Sequence, residues 1–211
     1  MSKIATLNQL QHDRLVAVLR ASDAEEGKEL AHTAVEGGIR FLEMTYTIPG
    51  ATQLIHDLSD YYRDRSVIVG AGTVLDATTA RMAIMNGAQF IVSPWFDEET
   101  AYLCNTYQIP YIPGCTTVNE MKRALEVGCD VVKLFPGDAF GPETIRSIKA
   151  PLPQANIMPS GGVSLDNAED WLTNGAFAVS TGSSLTKGSR EDMINKAEQF
   201  KTICQRRPSD H

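Results

Sequence analysis

Apolar and polar positions recur along this chain in one local pattern. An amphipathic stretch ends near a glycine and a short apolar run follows, as in residues 36–43, 86–93, 127–133 and 174–180. A glycine just past a helix is a common C-cap, and the apolar run after it is typical of a strand buried on both faces. The pattern predicts eight strands, at residues 16–20, 41–46, 66–74, 90–94, 111–115, 131–136, 156–162 and 176–183.

A helix-like segment follows each predicted strand. The clearest covers residues 23–35, with Ser22 in the position of an N-cap, and a further helix is expected within residues 4–13. Because no linker divides the chain, the βα repeats favour an α/β fold. We expect one (β/α)8 TIM barrel domain over residues 1–211, with an extra N-terminal helix. An open doubly wound sheet is the alternative, although no Gly-x-Gly-x-x-Gly follows the first strand.

Composition and charge exclude several classes of function. The chain is 43% hydrophobic and carries a net charge of −7, which argues against a nucleic-acid partner. No apolar run approaches the ~20 residues of a membrane span, and the N-terminus lacks the apolar segment of a signal peptide. The cysteines form neither a Cys-x-x-Cys pair nor a zinc-like cluster, so we expect free thiols, no metal and a cytoplasmic location. They are Cys104, Cys115, Cys129 and Cys204.

One lysine interrupts an apolar run. Lys133 lies within residues 131–136, a predicted buried strand that contains no carboxylate to pair with it. Burial disfavours the ammonium, and a neutral amine is a nucleophile that can form a Schiff base with a carbonyl substrate. The alternative is a lysine whose side chain reaches solvent at the end of the strand.

Glu43 is the candidate partner of this lysine. Period-two alternation places Glu43 on the face of Phe41, and Lys133 on the face of Val131. If both faces point into a barrel, the carboxylate and the amine meet in its interior, near the strand ends that carry catalytic groups. The pair is then either a structural ion pair or a general acid/base beside a Schiff-base lysine. Because a buried ion pair adds little stability, we favour the catalytic interpretation.

Two glycine-containing loops are candidates for an anion site. Ser160, Gly161 and Gly162 end the seventh predicted strand, and Gly182 and Ser183 end the eighth. Glycines let backbone N–H groups approach an anion, and the loops after strands 7 and 8 are the usual phosphate site of such barrels. The alternative is a pair of tight turns.

The other titratable residues differ in their distance from the strand ends. Arg20 ends the first predicted strand, where it is either a solvated charge or a clamp for a carboxylate or phosphate. The histidines fall in predicted helices or at the terminus, which disfavours a histidine triad, a histidine-bound metal and a histidine base. They are His12, His32, His56 and His211.

Six motifs appear in a fixed order. They are Leu-Glu-Met-Thr at 42–45, Gly-Ala-Gly-Thr-Val-Leu at 70–75, Gly-Ala-Gln-Phe-Ile-Val-Ser-Pro at 87–94, Ile-Pro-Gly at 112–114, Lys-Leu-Phe-Pro at 133–136 and Pro-Ser-Gly-Gly-Val at 159–163. Together they resemble the family of 2-keto-3-deoxy-6-phosphogluconate (KDPG) and 4-hydroxy-2-oxoglutarate (KHG) aldolases over nearly the whole chain.

This resemblance implies a class I aldolase on a (β/α)8 barrel that uses no metal or cofactor, forms a homotrimer and cleaves a phosphorylated 2-keto sugar acid. Lys133 would form the Schiff base and Glu43 would be the general acid/base. Thr73 and Pro94 would hold the pyruvyl part. The phosphate would lie in the two glycine-containing loops, formed by Ser160, Gly161, Gly162, Gly182 and Ser183.

Two positions depart from the pattern of the family. Thr47 stands where many members have an arginine that contacts the substrate carboxylate, and Arg20 is our candidate replacement. Ser160 stands where a threonine is frequent and keeps the hydroxyl. The alternatives are an aldolase for a related acid (the phosphogalactonate epimer or a sulfonated analogue), a sugar-phosphate epimerase, and a phosphosugar-binding barrel without catalysis.

Overall fold

The computed structural model describes residues 2–206. Its strands are β1 (Leu15–Leu19), β2 (Phe41–Thr45), β3 (Ile68–Gly72), β4 (Ile91–Val92), β5 (Tyr111–Ile112), β6 (Gly114–Cys115), β7 (Val132–Leu134), β8 (Ile157–Pro159) and β9 (Val179–Thr181). Its α-helices are α1 (Lys3–Asp13), α2 (Ala24–Glu36), α3 (Ala51–Tyr61), α4 (Ala77–Met85), α5 (Glu98–Tyr107), α6 (Val118–Glu126), α7 (Glu143–Lys149), α8 (Ala168–Thr173), α9 (Ser183–Thr186) and α10 (Arg190–Gln205). A short 3-10 helix, Gly137–Ala139, follows β7.

Every strand pairing in the described part of the chain is parallel. One sheet has the order β5-β4-β3-β2-β1-β9 and the other has the order β6-β7-β8. Only Pro113 separates β5 from β6 along the chain, and an isolated parallel bridge joins Ser160, just after β8, to Ser180 of β9. Apart from β5 and β6, successive strands are connected by helices, so the α/β class predicted from the sequence is confirmed.

The strands have an inner and an outer face. Val16, Phe41, Ile68 and Val131 belong to one buried apolar cluster, which we call the inner cluster, and Leu10 of α1 packs against them. The residues next to them along the strands belong to a second, larger cluster that includes apolar residues of the helices. The curled sheet therefore buries both faces, as the continuous apolar runs predict.

The predicted strands are longer than the observed ones. The run at 66–74 forms a strand only over Ile68–Gly72, and the run at 176–183 only over Val179–Thr181. Apolar burial continues beyond the hydrogen-bonded ladder, so hydrophobicity alone overestimates strand length. The prediction of one strand at 111–115 was wrong, because Pro113 has no N–H to donate and divides it into β5 and β6.

The helix predictions need one correction. Ser22 is not the N-cap of α2, because Asp23 accepts the hydrogen bond from the backbone N–H of Glu26. The Ser22 hydroxyl instead donates to the carboxylate of Glu26 at 2.7 Å. The glycine turns between helix and strand are confirmed at Gly87 and Gly128, which have φ angles of 97° and 89°.

Candidate active site

Glu43 and Lys133 come together on the inner face of the sheet. Glu43 is two residues after Phe41 in β2, and Lys133 is two residues after Val131 and lies within β7. The Nζ atom of Lys133 is 3.9 Å from Oε1 of Glu43, and only 5% and 1% of their side chains are exposed. The predicted meeting of these two residues is confirmed, and solvent escape of the lysine is excluded.

The surroundings of this pair are apolar and only partly satisfy it. Within residues 2–206, neither carboxylate oxygen of Glu43 has a hydrogen-bond partner. The Nζ atom of Lys133 lies 4.9 Å from the ring centroid of Phe135, a cation–π distance. A buried carboxylate without a hydrogen bond from the protein is costly to the fold, so its position beside a buried lysine indicates a functional site.

A cavity of about 510 Å³ lies beside the pair. Phe135 lines it and also contacts Lys133, and Val18 lines it and pairs with Glu43 across the β1–β2 ladder. All five residues of the two predicted phosphate loops line this cavity, and their anion-binding role stays a prediction. They are Ser160, Gly161, Gly162, Gly182 and Ser183.

Arg20 lines the same cavity, immediately after β1. One of its terminal nitrogens, Nη1, is 3.5 Å from the place that a Cβ atom on Gly182 would take, so the guanidinium lies over the second glycine loop. Thr47 is exposed, and its hydroxyl is 2.8 Å from that of Thr45. Because the Thr45 hydroxyl donates to the carbonyl of Leu19, Thr47 donates to Thr45. Arg20 is therefore a cation in the cavity, and Thr47 has a structural bond.

Thr73 and Pro94 do not line this cavity. Thr73 follows β3 with a φ of 54°, which is unusual for a β-branched residue and costs on the order of 1–3 kcal/mol. The carbonyl oxygen of Pro94 is 2.1 Å from where a Cβ on Gly114 would stand, and Gly114 pairs with Lys133. Thr73 therefore follows the glycine that lies against Glu43, and Pro94 contacts the strand next to Lys133, and their contact with substrate stays a prediction.

The remaining titratable groups are outside this site. His12, His32 and His56 lie in α1, α2 and α3, as expected, and His211 is outside the described residues. Among residues 2–206, no three His, Cys, Asp or Glu side chains could together hold a metal ion, and no helix is long and apolar enough to cross a membrane.

The four thiols are free and buried, and burial raises the pKa of each of them to about 12. They are therefore protonated and inert near neutral pH, which fits the prediction of free cysteines.

Asp138 and Lys187 also line the cavity, and the sequence analysis missed both. Asp138 lies in the 3-10 helix after β7, and its Cβ is 2.8 Å from where a Cβ on Gly162 would stand. Its place after a strand end was a usable signal. Lys187 ends the short helix α9 and had no comparable signal.

A family model for KDPG and KHG aldolases matches residues 6–204. The chain belongs to this family. It is therefore an aldolase, a carbon–carbon lyase. The match includes every residue of the site described above.

Relatives and solved structures agree with membership in the KDPG and KHG aldolase family. The chain is 33% identical over 181 residues to a 2-dehydro-3-deoxy-phosphogluconate aldolase of Treponema pallidum, covering 85% of each chain. It is 32% identical over 177 residues to a 2-dehydro-3-deoxy-6-phosphogalactonate aldolase of Escherichia coli, covering 83% of this chain and 86% of the relative. A crystal structure of the Legionella pneumophila KDPG aldolase, with pyruvate captured as a covalent carbinolamine, superimposes with a TM-score of 0.80 at 26% identity and covers 97% of each chain.

Proposed function

We propose that this protein reversibly cleaves KDPG to pyruvate and glyceraldehyde 3-phosphate, and KHG to pyruvate and glyoxylate, through a Schiff base on Lys133. One observation carries the proposal: a buried lysine and a buried carboxylate lie 3.9 Å apart next to a cavity lined by two glycine loops and Arg20. The carbinolamine in the Legionella relative supports the same chemistry in this family.

Each step of the cleavage has a group in this site. The neutral amine of Lys133 attacks the C2 ketone to form a carbinolamine, which loses water to give a protonated imine. The imine accepts the electron pair of the C3–C4 bond while Glu43, through a water, takes the proton of the C4 hydroxyl. The aldehyde leaves, the resulting enamine is protonated at C3, and hydrolysis of the imine releases pyruvate and the free lysine.

Apolar side chains surround the amine of Lys133. Phe135 covers the amine, and Val132 and Leu134 beside it are fully buried. The carboxylate of Glu43 is 3.9 Å from the amine and would exchange protons with it through a bridging water.

The substrate would lie across the pair and the cavity. Thr73 and Pro94 would hold the pyruvyl part, and the loops at 160–162 and 182–183 would hold the phosphate. We assign the binding of the substrate anion to Arg20, because position 47, where many family members have an arginine, holds a threonine. Within the described residues, Arg20 makes no ion pair or side-chain hydrogen bond, so its charge is available.

Arg20 is tested separately from the covalent chemistry. An Arg20→Ala variant should raise the Michaelis constant for the phosphorylated substrate, with a smaller effect on kcat. Arg20→Lys keeps the charge without the bidentate geometry and should fall between the two. An unchanged Michaelis constant in Arg20→Ala would remove Arg20 from the anion site.

The substrate's configuration at C4 has two candidates. The Escherichia coli relative, at 32% identity, is named for the phosphogalactonate epimer, so that epimer is the second candidate substrate. Assaying both epimers side by side measures the preference as a ratio of kcat/KM. A sulfonated analogue is a further alternative substrate. A non-catalytic phosphosugar-binding role is disfavoured, because binding alone does not require a lysine facing a glutamate.

The assembly is also a proposal. We infer that the two sheets, which meet at Pro113 between β5 and β6 and at the bridge between Ser160 and Ser180, form a single-domain (β/α)8 barrel. A cytoplasmic homotrimer fits the free thiols and the exposed apolar side chains on and near α4, and light scattering measures its mass. These side chains are Leu75, Met82 and Met85.

Trapping of the Schiff base tests the proposed function. The protein is incubated with pyruvate and borohydride, digested, and the modified lysine is located by mass spectrometry. A reduced pyruvyl adduct on Lys133 is the expected result. An adduct on Lys187, which lines the cavity, or no adduct at all, would contradict the proposal.

A further inference from the structure

Gly72 lies directly beneath the side chain of Glu43. It is the last residue of β3 and pairs with Thr45 of β2. A Cβ atom built on Gly72 would stand 2.1 Å from Oε1 of Glu43, 2.5 Å from its Cγ and 2.6 Å from its Cδ. The carboxyl end of Glu43 therefore occupies the volume that any other residue at position 72 would fill.

Space, and not backbone conformation, requires a glycine here. Gly72 does not have a positive φ, so a residue with a side chain could adopt its backbone. Gly70, two residues earlier on the inner face, leaves room for a different neighbour, since its Cβ would stand 2.4 Å from the ring of Phe90. The two glycines are equivalent in the sheet, but Gly70 makes room for apolar packing and Gly72 for the carboxylate.

No hydrogen bond from the described protein residues orients Glu43. Both of its carboxylate oxygens are buried and lack a hydrogen-bond partner among residues 2–206, and Nζ of Lys133 is 3.9 Å away. The direction of this side chain is therefore set by the atoms packed around it. Gly72 is one of these neighbours, and a Cβ atom at this position would overlap three atoms of the glutamate.

We propose that Gly72 is a positioning residue, which leaves the space that holds the Glu43 carboxylate beside Lys133. The inference rests on the proposed role of Glu43 as the acid/base. A methyl group at position 72 would displace the glutamate side chain from its Cγ outward, while the backbone at position 72 can keep its conformation. Since a displacement of about 1 Å can lower a rate by about 100-fold, the effect on catalysis should be large.

Three variants test the proposal: Gly72→Ala, Glu43→Asp and the combination of both. Gly72→Ala should lower kcat by at least about tenfold, with an almost unchanged KM and unfolding midpoint. Its pyruvate adduct on Lys133 should still form. Glu43→Asp retracts the carboxylate by one methylene and frees the space above position 72. In that background, Gly72→Ala should therefore cause no further loss, or should restore part of it.

Gly27→Ala is the matched control. A Cβ on Gly27 would stand 2.7 Å from the flexible end of Leu54, in α2 and away from the site, so this variant should keep wild-type kcat. A wild-type kcat in Gly72→Ala overturns the proposal. An equal loss in the wild-type and Glu43→Asp backgrounds also overturns it, because the loss would then not pass through Glu43. Full activity of Glu43→Gln would instead overturn the proposed acid/base role of Glu43, on which this inference rests, whatever position 72 does.

Discussion

Along β2, and from Val131 into β7, an apolar region and a charged one lie only two positions apart. Phe41 and Val131 belong to the inner cluster, which Leu10 of α1 closes. Glu43 and Lys133 hold the next inward positions, equally buried, yet the carboxylate has no hydrogen-bond partner among residues 2–206. The apolar region is fully packed, whereas the carboxylate of the charged region receives no hydrogen bond from residues 2–206.

The difference separates what stabilises this fold from what works in it. Full burial of a side chain such as Phe41 contributes about 1.5–3 kcal/mol, whereas a buried ion pair contributes little or opposes folding. The strand positions are equivalent, so the charged pair is not a requirement of the sheet. Its retention is explained by the chemistry of the cavity beside it.

Removing the amine should give the largest effect. Lys133→Met keeps the length of the side chain without a nucleophile, so we expect no measurable aldol cleavage, because the imine cannot form. Steady-state assays with KDPG, after circular dichroism has verified the fold, measure this. Lys122→Met, at an exposed site on α6, is the control and should keep full activity. Substantial turnover by Lys133→Met would mean that another group does the chemistry.

Neutralising the carboxylate should give the next largest effect. Glu43→Gln keeps the shape of the side chain but cannot accept the C4 hydroxyl proton, so kcat should fall by about 10²–10⁴-fold. KM should change little. Borohydride trapping with pyruvate should still modify Lys133, because forming the imine requires the amine first of all. If kcat were unchanged, the acid/base would have to be a different group.

Truncation in the apolar region should affect stability and spare catalysis. Phe41→Ala should lower the free energy of unfolding by about 3–5 kcal/mol, through lost burial and the cavity left behind. Denaturant unfolding measures this, and kcat per folded molecule should stay near wild type. Phe41→Leu should lose less. A collapse of kcat in Phe41→Ala, without unfolding, would show that the two regions are not separable.

The smallest effect should appear outside the inner face, at His32 of α2. Its ring lies 2.5 Å from the hydroxyl of Tyr62, and burial lowers its pKa. The unfolded chain therefore binds this proton more readily than the folded one. The contribution of His32 to the free energy of unfolding should be fully present above about pH 6.5. It should decline as the pH falls toward the lower pKa of the folded state.

Melting temperatures measured at a series of pH values test this dependence. His32→Gln should weaken the decline. Equal declines in both proteins would assign the acid sensitivity to other groups and exclude His32 as its source.

Much of this architecture could be read from the sequence. Glycine after α2, α4, α6 and α8 and the continuous apolar runs identified strands, and alternation brought Glu43 to Lys133, because inward positions of parallel strands converge. Strand ends were less accessible, since burial extends past the hydrogen-bonded ladder. Pro113 was a signal against an unbroken strand, because it lacks an N–H.

Contacts made in three dimensions were the least accessible. The fit of Glu43 over Gly72 depends on the pairing of β2 with β3. The residue after Gly72, Thr73, has a positive φ. The place of Arg20 over Gly182 requires β1 and β9 to be neighbours. Local propensity carries none of this information, because each contact joins residues far apart in the chain.

A double-mutant cycle tests most directly whether the pair is retained for chemistry. Each single variant, Glu43→Leu or Lys133→Met, leaves one buried group without its partner and should lower the free energy of unfolding by about 3–5 kcal/mol. The double variant, with two apolar side chains, should be at least as stable as the wild type and have no aldolase activity. If the double variant lost the sum of the two single effects, the pair would be a structural element, and this account would be contradicted.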